Sequence, residues 1–308
     1  MIKDLHIQNF WLFEDLQIKG LKLVNLIAGK NNTGKTALLE ALRIYAAKGD
    51  SSVVNNILNN RGMFVPGRSS SYEAIFHVKT SSEKQQDADF FVINELRINR
   101  KEYNISFNNS YSTRLNADKS ADFPNDKCVF VPFSNGEAQL QPIWDKIALT
   151  ELEDEVIIIL NETIDNRIIR VDVKENNTKV RLKDAKTPVP IQSLGDGVKR
   201  ILLIAMALVS AKGQLLLIDE IESGLHHSVQ EQLWELIFKY AAEWNIQTFI
   251  TTHSEDTIRT FSYVAAKQEY DNQALFVRLQ KGRSGKIEAI AYDTKRLETA
   301  LDLPTEIR

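Results

Sequence analysis

Residues 29 to 36 read Gly29-Lys30-Asn31-Asn32-Thr33-Gly34-Lys35-Thr36, the pattern G-x-x-x-x-G-K-[ST]. A loop of this kind turns backbone N–H groups inward as an anion cradle. Its lysine offers a point charge to β- and γ-phosphate oxygens, and its threonine hydroxyl suits Mg²⁺. The motif carries that chemistry only between a strand and a helix, and both are legible. The apolar run 21–28 reads as a buried strand, and Ala37-Leu38-Leu39-Glu40-Ala41-Leu42-Arg43-Ile44 has helical composition and period. The helix N-terminus, opened by Ala37, adds its own partial positive charge. The loop is therefore expected to bind a nucleoside triphosphate.

A second chemical group lies 184 residues beyond Lys35, where Leu215-Leu216-Leu217-Ile218-Asp219-Glu220 ends an apolar run in two carboxylates. Consecutive apolar residues suit a strand buried on both faces of a parallel sheet, and ligands bind at the carboxyl ends of such strands. Asp219 can hold Mg²⁺ through water, and Glu220 can polarise an attacking water as a general base. The long interval disfavours a small GTPase or kinase layout. Upstream, Ser193-Leu194-Gly195-Asp196-Gly197 opens another helix and is a second potential anion cradle. Downstream, Thr248-Phe249-Ile250-Thr251-Thr252-His253-Ser254 reads as the neighbouring strand, ending in an exposed His253 placed to sense the γ-phosphate.

The elements that position these residues fit one mixed α/β body. Residues 1–28 read as two or three short strands, with turns near 11–15 and at Gly20. A polar segment to about residue 71 reads as short helices and loop. Residues 73–78 and 89–98 read as strands, 108–126 as a polar mobile stretch, and 128–133 as a strand. Residues 141–161 carry helical periodicity, with Ile143, Trp144, Ile147, Leu149, Leu152, Val156, Ile157 and Leu160 on the apolar side. Residues 167–173 and 178–182 form an expected hairpin around Asn176-Asn177. The expected division is a nucleotide core, 1–50 and 187–308, with a β-rich and helical insertion, 51–186.

At 308 residues the chain can bury a large core. A net charge of −3 announces no global basic field, and the single cysteine, Cys128, excludes an intrachain disulfide framework and reads as an inert buried thiol. No apolar stretch approaches the roughly 20 residues of a membrane span. The alternating start Met1-Ile2-Lys3-Asp4-Leu5-His6 is unlike a signal peptide, so no membrane association and a cytoplasmic setting are expected.

Taken together, GKNNTGKT, SLGDGVKR, LLLIDE, ESGLHH and TTHS resemble the motifs of ABC-type ATPase heads of the SMC, RecF and OLD group. The opening Leu5-His6-Ile7-Gln8-Asn9-Phe10 and the stretches 147–155 and 305–308 resemble the short stand-alone members. The likeness spans essentially the whole chain. It implies a P-loop α/β fold of ABC-ATPase type, with a mainly parallel core sheet flanked by helices and an antiparallel β-rich layer. It also implies ATP and Mg²⁺ as ligands, held by Gly29, Asn31, Gly34, Lys35 and Thr36. Ser193 and Gly195 would meet the γ-phosphate of a second subunit. Asp219 would be the metal-binding acid, Glu220 the catalytic base and His253 the switch histidine. Two departures stand out: His226 occupies the usual place of an aspartate, and Asp196 replaces the usual Gln or Glu. OLD proteins continue into a Toprim nuclease domain, and the 55 residues after His253 are too few for one.

The resemblance thus implies an ATP-hydrolysing switch that forms a homodimer around ATP. It further implies control of a separately encoded effector, a nuclease or toxin, in antiphage defence. Two alternatives stay open: an ATP-locked scaffold with little turnover, and a RecF-type repair ATPase acting directly on DNA. Lys and Arg at 97, 100, 101, 179, 181, 183 and 186 are scattered, with no basic stripe or recognition helix to favour DNA.

Overall fold

The computed structural model describes residues 1–63, 90–98, 101–108, 113–116, 128–133, 136–174, 177–195, 197–270, 272–303 and 307. Strands β1 (Leu5–Phe10), β2 (Phe13–Ile18) and β3 (Val24–Ala28) precede helices α1 (Lys35–Ala46) and α2 (Ser51–Asn60). Next come β4 (Phe90–Ile98), β5 (Lys101–Asn108), β6 (Thr113–Asn116) and β7 (Cys128–Val131), then α3 (Gly136–Ile147) and α4 (Glu151–Thr163). Strands β8 (Ile168–Asp172), β9 (Lys179–Leu182) and β10 (Val189–Pro190) lead to α5 (Val198–Ser210) and β11 (Leu215–Ile218). The remaining elements are α6 (Gln230–Glu243), β12 (Gln247–Thr252), α7 (Glu255–Ala265), β13 (Ala274–Lys281), β14 (Ile287–Tyr292) and α8 (Thr294–Leu301).

A six-stranded sheet in the order β14-β13-β3-β12-β11-β7 forms the centre. Its strands run parallel except β14, which pairs antiparallel with β13. Strands β3, β11 and β12 are buried at every position, and β11 accordingly reads as an unbroken apolar run rather than an alternating one. One face packs against α3 to α7, through residues such as Leu26, Ile218, Ile250, Trp234 and Phe261. The other packs against α1, α2 and the β1–β2 hairpin, through Ile27, Leu217, Phe249, Leu38, Leu42 and Phe10. The expected antiparallel layer is two separate sheets: β2-β1-β4-β5-β6, and the small β10-β9-β8. Strand β7 lies within the expected insertion by sequence, yet it forms an edge of the central sheet.

Several local expectations change. The strand before the glycine loop starts at Val24 rather than Leu21. The Asn25 side chain accepts the Lys22 N–H and donates to the Lys22 carbonyl, both at 2.8 Å, bending 22–25 into a turn. Leu149 is not on an apolar face: it is 89% exposed at φ 63, in the turn between α3 and α4. There Thr150 Oγ1 accepts the Leu152 N–H, and Glu153 Oε2 accepts the Leu149 N–H, so the chain stops one helix and starts another. The stretch 108–126 includes the strand β6. The expected strand 73–78, Asn176, Asp196, and residues 305, 306 and 308 lie outside the described residues. Among the described residues no helix is long and apolar enough to cross a membrane.

A buried charge ties α1 to α2. Glu40 is 5% exposed and its carboxylate takes a forked pair from Arg61 Nε and Nη2 at 2.9 and 2.8 Å. The Arg61 guanidinium stacks over Trp11, 4.3 Å from the ring centroid. Burial pushes the Glu40 carboxyl above the ordinary glutamate value, against the opposing pull of Arg61. A folded value raised in this way favours the protonated state, so this site's stability is full below the unfolded pKa and falls as pH rises through the folded one. Arg61→Ala removes the compensating charge. It should cost about 3 kcal/mol at pH 8 and less at pH 5, where Glu40 can take a proton; urea denaturation at the two pH values measures both.

Candidate functional site

The carboxyl ends of β3, β11 and β12 bring together residues that are far apart in sequence. Pairing Ile218 with Ile250 places Asp219, one residue past β11, beside Thr251. Thr251 Oγ1 donates to Asp219 Oδ1 at 2.6 Å, and Thr36 Oγ1 donates to Asp219 Oδ2 at 3.0 Å. The Asp219 N–H is taken by the Val131 carbonyl at 2.8 Å. The carboxylate is thus held from β12 and from the first turn of α1.

The glycine loop has little spare space. A Cβ on Gly29 would lie 2.5 Å from the Leu279 carbonyl oxygen and 2.5 Å from Thr33 Oγ1. Gly34 has φ 95, and a Cβ there would meet the Phe13 ring at 2.7 Å. Lys35 Nζ donates to the Gly29 carbonyl at 2.8 Å and the Lys30 carbonyl at 3.3 Å, so its ammonium lies over the loop. Burial lowers its pKa, opposed by Glu220, Asp219 and Glu222. Thr33 Oγ1 donates to the Lys30 carbonyl at 2.8 Å. Asn32 takes a positive φ of 64. Lys30, Asn31 and Asn32 are exposed, whereas Ala37 is buried in the core behind the loop.

Glu220 adopts φ 46, a conformation unusual for a residue with a side chain and costing roughly 1–3 kcal/mol. Its N–H is bound by Thr251 Oγ1 at 2.8 Å, and its carbonyl accepts from Arg200 at 3.1 Å. Burial raises its carboxyl pKa above the ordinary glutamate value; His253 opposes, Asp219 and Glu222 push further up, and Lys35 opposes. His253 Nδ1 lies 3.5 Å from Glu220 Oε1 and 3.2 Å from Glu222 Oε1, and its N–H donates to Glu222 Oε1 at 2.8 Å. Asp219, Glu220, His253, Lys35 and Thr36 therefore share one cluster. A partly buried carboxylate with a raised pKa beside an imidazole is suited to exchanging a proton with water.

Ser193 and Gly195 stand apart from that cluster. Ser193 closes a short 3₁₀ turn at Ile191–Leu194 and donates its hydroxyl to the Pro190 carbonyl at 2.6 Å, on the surface. Gly195 has φ 125, and Gly197, at φ 84, caps the start of α5. His226 is exposed, with Nδ1 2.9 Å from Ser228 Oγ. Three residues of the cluster carried no role in the sequence reading: Thr251, Glu222 and Arg200. Arg200 had the clearest signal, a cation beside Lys199 in the first turn of a helix that is apolar from Ile201 to Val209.

The donor set suits a hard divalent cation. Thr36 and Asp219 supply oxygen ligands, and Mg²⁺ keeps several water and phosphate ligands, so it needs no larger protein cage. Among the described residues there is no group of three or more His, Cys, Asp and Glu fit for a metal. When bound, the ion would neutralise charge on the phosphates.

This cradle, carboxylate pair and sheet order define a P-loop ATPase head. Residues 1–119 match the family model described as "AAA ATPase domain", and residues 137–259 match "AAA domain, putative AbiEii toxin, Type IV TA system". Over the whole body the fold is similar to the SmcHead solved bound to the C-winged helix domain of ScpA. That likeness has a TM-score of 0.60 at 14% identity and covers 98% of this chain and 99% of that one. The SMC head domain from Thermotoga maritima aligns with a TM-score of 0.51 at 14% identity, over 94% and 98% of the two chains. An "ATP/GTP phosphatase" of Helicobacter pylori is 26% identical, over 89% of this chain and 90% of its own length. An uncharacterized protein of Methanocaldococcus jannaschii is 33% identical over 39% of this chain and 56% of its own. Two AAA-type ATPase domain models thus match separate stretches of a chain whose fold is that of the SMC heads.

The raised Glu220 pKa gives a test of this residue as general base. With Glu220 in that role, the acid limb of kcat/KM for ATP hydrolysis should lie above the ordinary glutamate range, because that ratio titrates the free site. Glu222→Gln removes one of the charges that raises Glu220 and keeps the acceptor for the His253 N–H. It should move the limb to lower pH, which a pH–rate profile of both proteins would show.

Proposed function

We propose that the protein is an ATP-hydrolysing switch whose two-subunit closed state controls a separate effector. The observation that carries the hydrolytic part is the Asp219 carboxylate held by Thr36 with Glu220 next to it. In this reading the loop residues Gly29 to Thr36 bind the phosphates, with the Ala37 N–H at the helix start. Thr36 and Asp219 hold Mg²⁺. Glu220 takes a proton from the attacking water, and His253 steadies the carboxylate by the contact described above. Lys35 leaves its carbonyl partners for phosphate oxygens, which are stronger acceptors.

The composite part rests on Ser193 and Gly195; Asp196, grouped with them by sequence, lies outside the described residues. Ser193 and Gly195 precede a helix at the surface and join no nucleotide residue in any described contact within the chain, and a second copy would bring them to the phosphates. Support for a bound partner comes from the SMC heads, two of which were solved with ScpA domains. Support for a toxin or defence setting is the wording of the family matched by residues 137–259. Segments 51–71 and 72–135, which supply no nucleotide motif, are the proposed effector surface, of which residues 64–89, 99–100, 109–112, 117–127 and 134–135 lie outside the described residues.

Glu220→Gln should keep ATP affinity, lose at least 100-fold in turnover, and elute as a dimer in ATP on size-exclusion chromatography. The same trapped protein, used as bait in its native host with and without ATP, should retain the effector in one nucleotide state only, since a ligand controls a partner only through unequal binding to two states. Wild-type turnover by Glu220→Gln would refute the base assignment; autonomous DNA cleavage by the purified protein, with no partner in either state, would refute effector control.

Lys35→Ala and Ser193→Arg should each be inactive alone. Mixed, they form a heterodimer with one composite site free of both lesions, and about half of wild-type activity per dimer should return. Confirmed heterodimers without recovered activity would overturn the composite site.

A further inference from the structure

Arg200 is 8% exposed, in the first turn of α5, and makes no ion pair with a carboxylate among the described residues. Its guanidinium forks instead onto main-chain carbonyls: Nη1 to Pro132 at 2.9 Å, and Nη2 to Asp219 at 2.9 Å and Glu220 at 3.1 Å. Pro132 follows the end of β7, and Asp219 and Glu220 follow β11, so one side chain spans two neighbouring strand ends. Its Nε is buried without a hydrogen-bond partner. A buried cation that meets only carbonyls is an expensive way to fasten a helix, and an apolar side chain would pack there without that desolvation.

The carbonyl it holds belongs to the strained residue. The Glu220 peptide is fixed on its N–H side by Thr251 and on its carbonyl side by Arg200. The same helix start touches the following loop, since a Cβ on Gly197 would lie 2.7 Å from the Gly224 carbonyl oxygen. Helix α5 begins three residues after Gly195, within one turn of the Ser193–Gly195 loop. A shift of the first turn of α5 relative to the sheet would act on the Glu220 carbonyl through the Arg200 Nη2 contact.

We infer that Arg200 is a positioning residue: it holds Glu220 in its left-handed conformation and links the placement of this base to the Ser193–Gly195 loop. The inference rests on the reading of Glu220 as base. When a second subunit's nucleotide seats the loop, the fork aligns Glu220; without that seating the base is held short of alignment. Hydrolysis thereby depends on closure of the dimer rather than on nucleotide binding alone.

The test compares Arg200→Lys and Arg200→Gln with wild type and Glu220→Gln. A lysine supplies a charge but not the planar fork, and a glutamine supplies a short neutral donor. Both variants should bind a fluorescent ATP analogue within about twofold of wild type and dimerise in ATP, while kcat falls at least 30-fold. In single-turnover assays the double variant R200K/E220Q should be no slower than E220Q, because Arg200 acts through Glu220. Wild-type kcat in a folded Arg200 variant overturns the inference, as does further slowing of E220Q by R200K. Should both single variants lose nucleotide binding along with kcat, Arg200 is a structural fastener and the inference fails. An active E220Q would instead overturn the base assignment, which keeps the two failures distinct.

Discussion

The Asp219 carboxylate receives one hydroxyl from Thr36 and one from Thr251, and the order of the site depends on those two bonds. Neither donor is its sequence neighbour. Both reach it because β3, β12 and β11 run parallel in a fixed register, so their carboxyl ends finish at one level. A slip of one residue in β11 would turn Asp219 to the opposite face and leave the Thr36 hydroxyl without this acceptor. Because β11 is apolar on both faces, its register is held by ladder pairing on each side, Ile218 with Ile250 and with Val131, rather than by alternation. Strand pairing therefore sets the position of a polar group beyond the strands.

Charge in the site is balanced without close pairing. Lys35 and Arg200 are both buried, both lowered in pKa by that burial, and both held by main-chain carbonyls. The fields of Asp219, Glu220 and Glu222 oppose that lowering from a distance. Both cations can thus be redirected without breaking a tight salt bridge, a useful property where incoming phosphates must compete for the lysine.

Much of this site could be read from the chain because its residues sit at strand ends in a fixed chemical order. The glycine loop, Asp219, Glu220 and His253 were each marked by an apolar run stopping at a polar residue, and the structure brings them together. Thr251 and Arg200 were less visible, since a threonine within a strand and a cation in an apolar helix gain meaning only when neighbours from elsewhere are known. Leu149 misled because helical periodicity ran on through it, although Thr150 and Glu153 carry the capping pattern that breaks the helix there. The split of the antiparallel layer into two sheets had no local signature, because strand pairing is decided by partners distant in sequence.

Strand β3 has β12 and β13 as its hydrogen-bonded neighbours, with Leu26 beside both Ile250 and Phe276. During synthesis from the N-terminus, residues 24–28 emerge early, and their partners emerge only after some two hundred more residues have been made. Until then the strand's apolar faces and unpaired edges have no native cover, and long-range pairing of this kind is slow to form. The phosphate loop is encoded near the beginning and finished near the end. A ribosome-bound or truncated fragment would carry the full G-x-x-x-x-G-K-T sequence and still lack the frame that makes it a binding loop.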